Sequence, residues 1–234
     1  MHIFNSNLIP ASMEEPKRQI LVVDDHPVFR LGLKTVLDEE PSFTVVACVG
    51  TAAEALSKLR ESHCDAALLD ISLPGANGIE LVKQIKAEHP DLAMLLVSMH
   101  DEAVYALRAL RAGALGYVMK REGPDAVLTA LRKVLAGQIS VSPEMGERLI
   151  YRMAHGESSG AGTPIDNLTD RELEILALIG QGQSSHQIAK ALHLSVKTVE
   201  SHRLHIKVKL GLRSAPELVR FAMDWYEDQV AVNT

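Results

Sequence analysis

The chain has 234 residues, 47% of them apolar, enough to fill one large core or two smaller ones. A net charge of −6 excludes a protein coated evenly with basic residues for nucleic acid. The two cysteines, Cys48 and Cys64, lack any zinc-type Cys/His spacing and fit packing in a reducing compartment. No apolar run reaches the roughly 18 residues of a membrane span. The residues from Met1 to Asn5 lack the charged start and long apolar core of a signal peptide. The expectation is a soluble, cytoplasmic protein with no membrane partner.

Residues 1–18 are polar, carry Pro10, Pro16, Glu14 and Glu15, and show no periodicity, which predicts a flexible tail. Strand and helix patterns then alternate five times. The strands are expected at 20–24, 44–49, 65–70, 92–97 and 115–118. They are short, nearly continuous apolar runs, the pattern of strands buried on both faces. Between them lie stripes at helical spacing: Phe29, Leu33, Val36 and Leu37; Ala52, Ala55, Leu56 and Leu59; Val127, Leu131, Val134 and Leu135. Such alternation predicts an α/β domain over 19–138, a doubly wound five-stranded parallel (βα)5 sheet with helices on both faces.

The pattern changes near Gly137. Residues 139–165 read as a linker with one possible helix at 142–154, followed by a Gly/Ser-rich stretch from His155 to Pro164. From 166 to 230 the chain reads as an all-α, four-helix domain with clear start signals. Thr169 to Glu172 is a capping box, with Leu168 and Leu173 as its hydrophobic staple. Ser184 to Gln187 opens a second helix, Ser195 a third, and Ser214-Ala-Pro216-Glu217 a fourth with Pro in its first turn. The short turn from Leu192 to Ser195 is what a helix-turn-helix requires.

Between Ser195 and Arg213 stand five basic residues and one acid, a local basic island on an acidic chain. Val199, Ile206 and Leu210 share one face of the third helix, while Lys197, Ser201, Leu204 and Val208 share the other. Glu200 and His205 fall toward its flanks. The first turns of such a helix reach base edges, so Lys197, Glu200, Ser201, Leu204 and His205 are candidates near bases. Lys207, Lys209 and Arg213 suit phosphate contacts.

Two of the predicted strands end in carboxylates, Asp24-Asp25 and Asp70. Open α/β sheets place their chemistry at that end. Acids gathered there repel one another and call for a cation; hard oxygen ligands suit Mg²⁺. Asp70 can act as a nucleophile toward phosphorus, Lys120 can offer an ammonium to phosphoryl oxygens, and Ser98 a hydroxyl. Singly, each has a plainer reading: Asp70 as a turn residue or helix cap, Ser98 as a loop hydroxyl, Lys120 as a surface lysine.

Asp24-Asp25, Asp70, Ser98 and Lys120, each group on its own strand, resemble the receiver domain of two-component response regulators. The runs Leu168–Leu176 and Ser195–Arg203 followed by Lys209-Leu210 resemble the LuxR-type helix-turn-helix of the NarL/FixJ family. Together the two resemblances cover most of the chain. They imply Asp70 as phosphoacceptor, Asp25 as direct metal ligand, Asp24 as its helper and Ser72 as donor of a backbone carbonyl to Mg²⁺. They also imply Lys120 and Ser98 as phosphoryl contacts and Tyr117 as a switch aromatic. In the C-terminal part they imply Thr198 and His202 near phosphates, and Glu200, Ser201 and Leu204 near bases. Ser185-His186-Gln187, Glu200 and His205 depart from the commoner Asn-Lys-Glu, Lys and Asn. The function implied is a phosphorylation-dependent transcriptional regulator, not an enzyme. Its partners would be a sensor histidine kinase, double-stranded promoter DNA and, when active, a second copy; members of the family often dimerise through the fourth helix. An aspartyl-phosphate hydrolase of the haloacid-dehalogenase type would need a second Asp where Ser72 stands. A phosphorylation-independent interaction module is not favoured by the full acidic set.

Overall fold

The computed structural model describes residues 16–154 and 164–231. Most of the predicted tail and the Gly/Ser-rich stretch lie outside the described residues.

β1 (Arg18–Val23), β2 (Phe43–Val49), β3 (Ala66–Leu69), β6 (Ala93–Ser98) and β7 (Gly116–Met119) form one sheet. A two-residue hairpin, β4 (Ser72–Leu73) with β5 (Ala76–Asn77), follows β3. The sheet order is β2-β1-β3-β6-β7 and every pairing within it is parallel. That is the doubly wound order, with its switch point between β1 and β3. The third predicted strand is shorter than expected, because Asp65 and Asp70 flank the ladder instead of continuing it. Gly116 approaches Ser140 so closely that an added Cβ would stand 2.7 Å from its carbonyl oxygen.

Side chains alternate across the sheet with the period of two that extended backbone imposes. Ile20, Val22, Leu68, Leu95 and Val97 face α1 (Pro27–Glu39) and α5 (Pro124–Leu135), packing on Leu33, Leu37, Leu131 and Val134. Leu21, Val23, Leu69, Met94 and Leu96 face α2 (Ala52–Glu61), α3 (Gly78–Glu88) and α4 (Glu102–Ala112). Each face buries a continuous apolar layer, at about 25 cal/mol per Å² removed from water.

The 142–154 expectation is met by α6 (Pro143–Ala154), packed on α4. The C-terminal helices are α7 (Asp170–Gly180), α8 (Ser185–Ala191), α9 (Val196–Leu210) and α10 (Ala215–Ala231). Their start signals act as read: Thr169 and Ser184 form capping boxes with Glu172 and Gln187, and Ser195 caps α9 through the Thr198 N–H. Val199, Ile206, Leu218 and Ala222 have no exposed surface and join Ile175, Leu176 and Ile179 in one core. The turn between α8 and α9 passes through His193, the one described non-glycine residue with positive φ, at 53°.

Candidate functional site

Gly78 shapes the loop that follows Asp70. Its N–H bonds the Ile71 carbonyl at 2.6 Å, and a Cβ there would meet the Asp70 carbonyl oxygen at 2.0 Å, so only glycine fits. Asn77 caps α3 by accepting from the Ile79 N–H, which turns the chain sharply back behind Asp70. Asp70 itself is held by its N–H bond to Val23, which fastens the end of β3 to the end of β1.

Asp24, Asp25, Asp70, Ser98 and Lys120 all converge at this edge. Lys120, buried at the end of β7, reaches both Asp70 and Asp24 at 2.6 Å. Its ammonium also sits 4.6 Å from the Phe29 ring centroid. Burial, with the nearby Asp24 charge, pushes the Asp70 carboxyl up to about 6, against the opposing pull of Lys120. One ligand atom each of Asp24, Asp25, His26 and Asp70 lies within 4.8 Å of the others. Three of the four offer hard carboxylate oxygens, so the set fits Mg²⁺. His26 Nδ1 lies 2.6 Å from Asp25 and closes that flank.

Ser98 is fully buried, and its hydroxyl oxygen accepts from the His100 N–H at 3.3 Å. Tyr117 points inward, with its hydroxyl donating to the His100 carbonyl at 2.9 Å. Burial holds that phenol well above its ordinary range and therefore neutral. The His100 ring lies 2.8 Å from Ser72 Oγ, which donates its single proton to Glu174 Oε1 at 2.6 Å. His100 must therefore be the donor to Ser72 through Nε2–H. Burial lowers the pKa of the ring, against the opposing pull of Glu174.

Glu174 belongs to α7, so the helical domain is docked on the Asp70 edge of the sheet domain. Its carboxylate has no exposed surface and accepts from Ser72, Asn77 (3.0 Å) and Arg171 (2.7 Å). Arg171 also donates to the Ala76 carbonyl. Asp170 pairs with Lys83 and Arg108, and Arg108 bonds the carbonyls of Ile165 and Leu168. His193 stands 3.4 Å from Asp25. Leu173, Ala177, Trp225 and Tyr226 extend the apolar layer of α3 and α4. None of these contacts was read from the sequence. The available signal was α7 itself, which is apolar on all sides around Glu174 and so needs a partner on every face.

The third-helix faces fall as expected. Lys197, Glu200, Ser201, Leu204, His205 and Val208 are exposed, and Thr198, His202 and Lys207 are half-buried. The docked sheet domain covers α7 and part of α10, leaving this face of α9 open. Lys209 donates to Glu172 at 2.6 Å.

Residues 20–132 match the response regulator receiver domain, and residues 166–222 match the bacterial regulatory proteins of the luxR family. The oxygen regulatory protein NreC of Staphylococcus epidermidis is 36% identical over 210 residues, 88% of this chain and 96% of that protein. A LuxR-family two-component response regulator from Aurantimonas is 33% identical, with a TM-score of 0.55, over 59% of this chain and 99% of that one. The Salmonella typhimurium RcsB response regulator is 25% identical, with a TM-score of 0.53, over 88% of this chain and 98% of that one. The chain belongs to the two-component response regulators that join a receiver to a LuxR-type helix-turn-helix. It is accordingly a phosphorylation-responsive, DNA-binding regulator. Among the described residues, no helix is long and apolar enough to cross a membrane.

Proposed function

We propose that Asp70 accepts a phosphoryl group from a sensor histidine kinase, and that the docked arrangement is the resting form of a cytoplasmic transcription regulator. The observation that carries this is the convergence of Asp70, Asp24 and Lys120, all buried, at the strand ends of one parallel sheet. Asp24, Asp25, Asp70 and the Ser72 carbonyl are the residues that would hold Mg²⁺, which when bound supplies a positive charge for phosphoryl oxygens.

The chain's own groups supply the rest. Asp70 Oδ attacks phosphorus as the P–N bond to the kinase histidine breaks and the imidazole leaves, Lys120 leaves its paired carboxylates for the new oxygens, and Ser98 turns its hydroxyl toward them. Ser98 moves with a consequence, because the His100 N–H hangs on its oxygen and the Tyr117 hydroxyl hangs on the His100 carbonyl. His100 in turn addresses Ser72, the residue Glu174 grips. Charge arriving at Asp70 thus loosens the α7 contact through one residue, a local electrostatic event biasing a two-state element. Release frees α10 for a homodimer, whose two-fold symmetry would match paired half-sites in promoter DNA. Lys197, Thr198, Glu200, Ser201, His202, Leu204 and His205 would face the duplex, with Lys207 at phosphates.

Intact-mass measurement with Mg²⁺ and acetyl phosphate tests the first step. One phosphoryl adduct in the wild type, absent from Asp70→Ala, is expected, together with phosphodonor-enhanced binding to a random DNA pool. An adduct that persists in Asp70→Ala would refute the assignment.

A further inference from the structure

The second turn of α9 carries a single carboxylate on an exposed face that is otherwise neutral or basic. Glu200 is held there from two sides. Ser185, the first residue of α8, donates its hydroxyl to Glu200 Oε1 at 2.5 Å. Arg203, most of a turn further on, lies 3.9 Å from Oε2. The carboxylate nevertheless remains open, with 58% of its side chain exposed. An exposed pair of this kind contributes little to stability, so bracing α8 against α9 is a weak reason for an acid here. The same charge is repelled by every phosphate of a duplex, so it also opposes non-specific binding.

An oriented carboxylate can do one thing well in a major groove, which is to accept a hydrogen bond. Guanine presents only acceptors there, N7 and O6, and thymine presents an acceptor and a methyl group. Adenine offers its N6 amine beside N7, whose lone pair repels a carboxylate. Cytosine alone offers an amine with no neighbouring acceptor on the same base. Glu200 lies five residues after the Ser195 cap, within the part of such a helix that reaches base edges. We propose that Glu200, oriented by Ser185, selects a cytosine in each half-site by accepting a hydrogen bond from its exocyclic amine. This rests on α9 being the helix that faces DNA.

The test is selection from a random duplex pool by the full-length protein with Mg²⁺ and acetyl phosphate, comparing wild type, Glu200→Ala, Glu200→Gln and Ser185→Ala. The wild type is expected to enrich a motif with one strongly preferred cytosine per half-site. Glu200→Ala should reduce that preference about 5- to 100-fold while keeping the other positions. Glu200→Gln, with an amide that can donate and accept, should move the preference toward adenine. Ser185→Ala, which leaves the carboxylate in place but unaligned, should weaken the preference without changing the base. Glu200→Ala should also bind unrelated DNA more tightly, a readout that survives loss of the motif. If all three variants enrich the wild-type motif unchanged, Glu200 reads no base. If the wild type enriches no motif, the assignment of α9 to DNA fails first and the proposal falls with it.

Discussion

Glu174 of the helical domain, with no exposed surface, accepts a hydrogen bond from the hydroxyl of Ser72, two residues beyond Asp70, at 2.6 Å. The helical domain therefore grips the loop that follows Asp70. A carboxylate saturated by Ser72, Asn77 and Arg171 cannot be removed without costing one buried and two part-buried donors their acceptor. Glu174→Ala should weaken docking by about 2–5 kcal/mol, the cost of truncating one side of a buried charged contact. Small-angle scattering should show a larger radius of gyration without phosphodonor, and acetyl phosphate should label Asp70 faster. An unchanged radius would show that the apolar contacts of Leu173, Ala177 and Trp225 suffice to hold the domains.

His100 is bonded to Ser98 and Tyr117 through its backbone and to Ser72 through its ring, so under the proposed mechanism His100→Ala should separate the switch from that grip. Asp70 should still be labelled at a rate within about threefold of wild type, since His100 makes no described bond to Asp70, Asp24 or Lys120. The increase in radius on phosphorylation should be lost or reversed in sign. A wild-type increase in the variant would rule out transmission through His100.

Asp70 is destabilising where it is charged and buried. Its folded pKa of about 6 lies above the ordinary 3.8, so the folded chain holds this proton more tightly than the unfolded one. The group's contribution is most favourable below about pH 4, falls as pH rises, and is fully unfavourable above about pH 6. Asp70→Asn should therefore stabilise the metal-free receiver by up to about 3 kcal/mol at pH 7.5 and by little at pH 4. Added Mg²⁺ should narrow the gap at pH 7.5 by stabilising the wild type. Chemical denaturation with EDTA or Mg²⁺ at the two pH values checks all three statements.

Lys207 and Lys209 should part company, although their spacing suggested one role. Lys207→Ala should reduce the slope of log affinity against log salt by about one. Lys209 is bound to Glu172, the capping residue of α7, so Lys209→Ala should lower the melting temperature of the helical domain by a few degrees. Salt titration of DNA binding and thermal unfolding separate the two effects.

How much was legible in the sequence varies with the range of the interaction. The strands were visible because a parallel sheet covered on both faces needs uninterrupted apolar runs, as in Ile20–Val23 and Ala66–Leu69. The helix starts were visible because capping is a contact between residues three apart, as with Thr169 and Glu172. Asp24, Asp25, Asp70, Ser98 and Lys120 could be proposed as a set because each lies at or beside the end of such a run. Parallel topology brings those ends to one edge. The Lys209–Glu172 pair was not legible because helical spacing says which face a side chain leaves from, not which neighbour its long stem reaches.

The sequence by itself determined two folding units and the chemical kind of each, because local periodicity, caps and strand ends are written within a few residues. Only the tertiary structure decided how the units meet. Ser72 and Glu174 are 102 residues apart, and nothing in either neighbourhood specifies the other. A surface becomes an interface through shape and charge complementarity between distant segments. That placed Glu174 on the loop after Asp70, set His193 beside Asp25, and left the Lys197–Leu204 face of α9 open while α10 is partly covered.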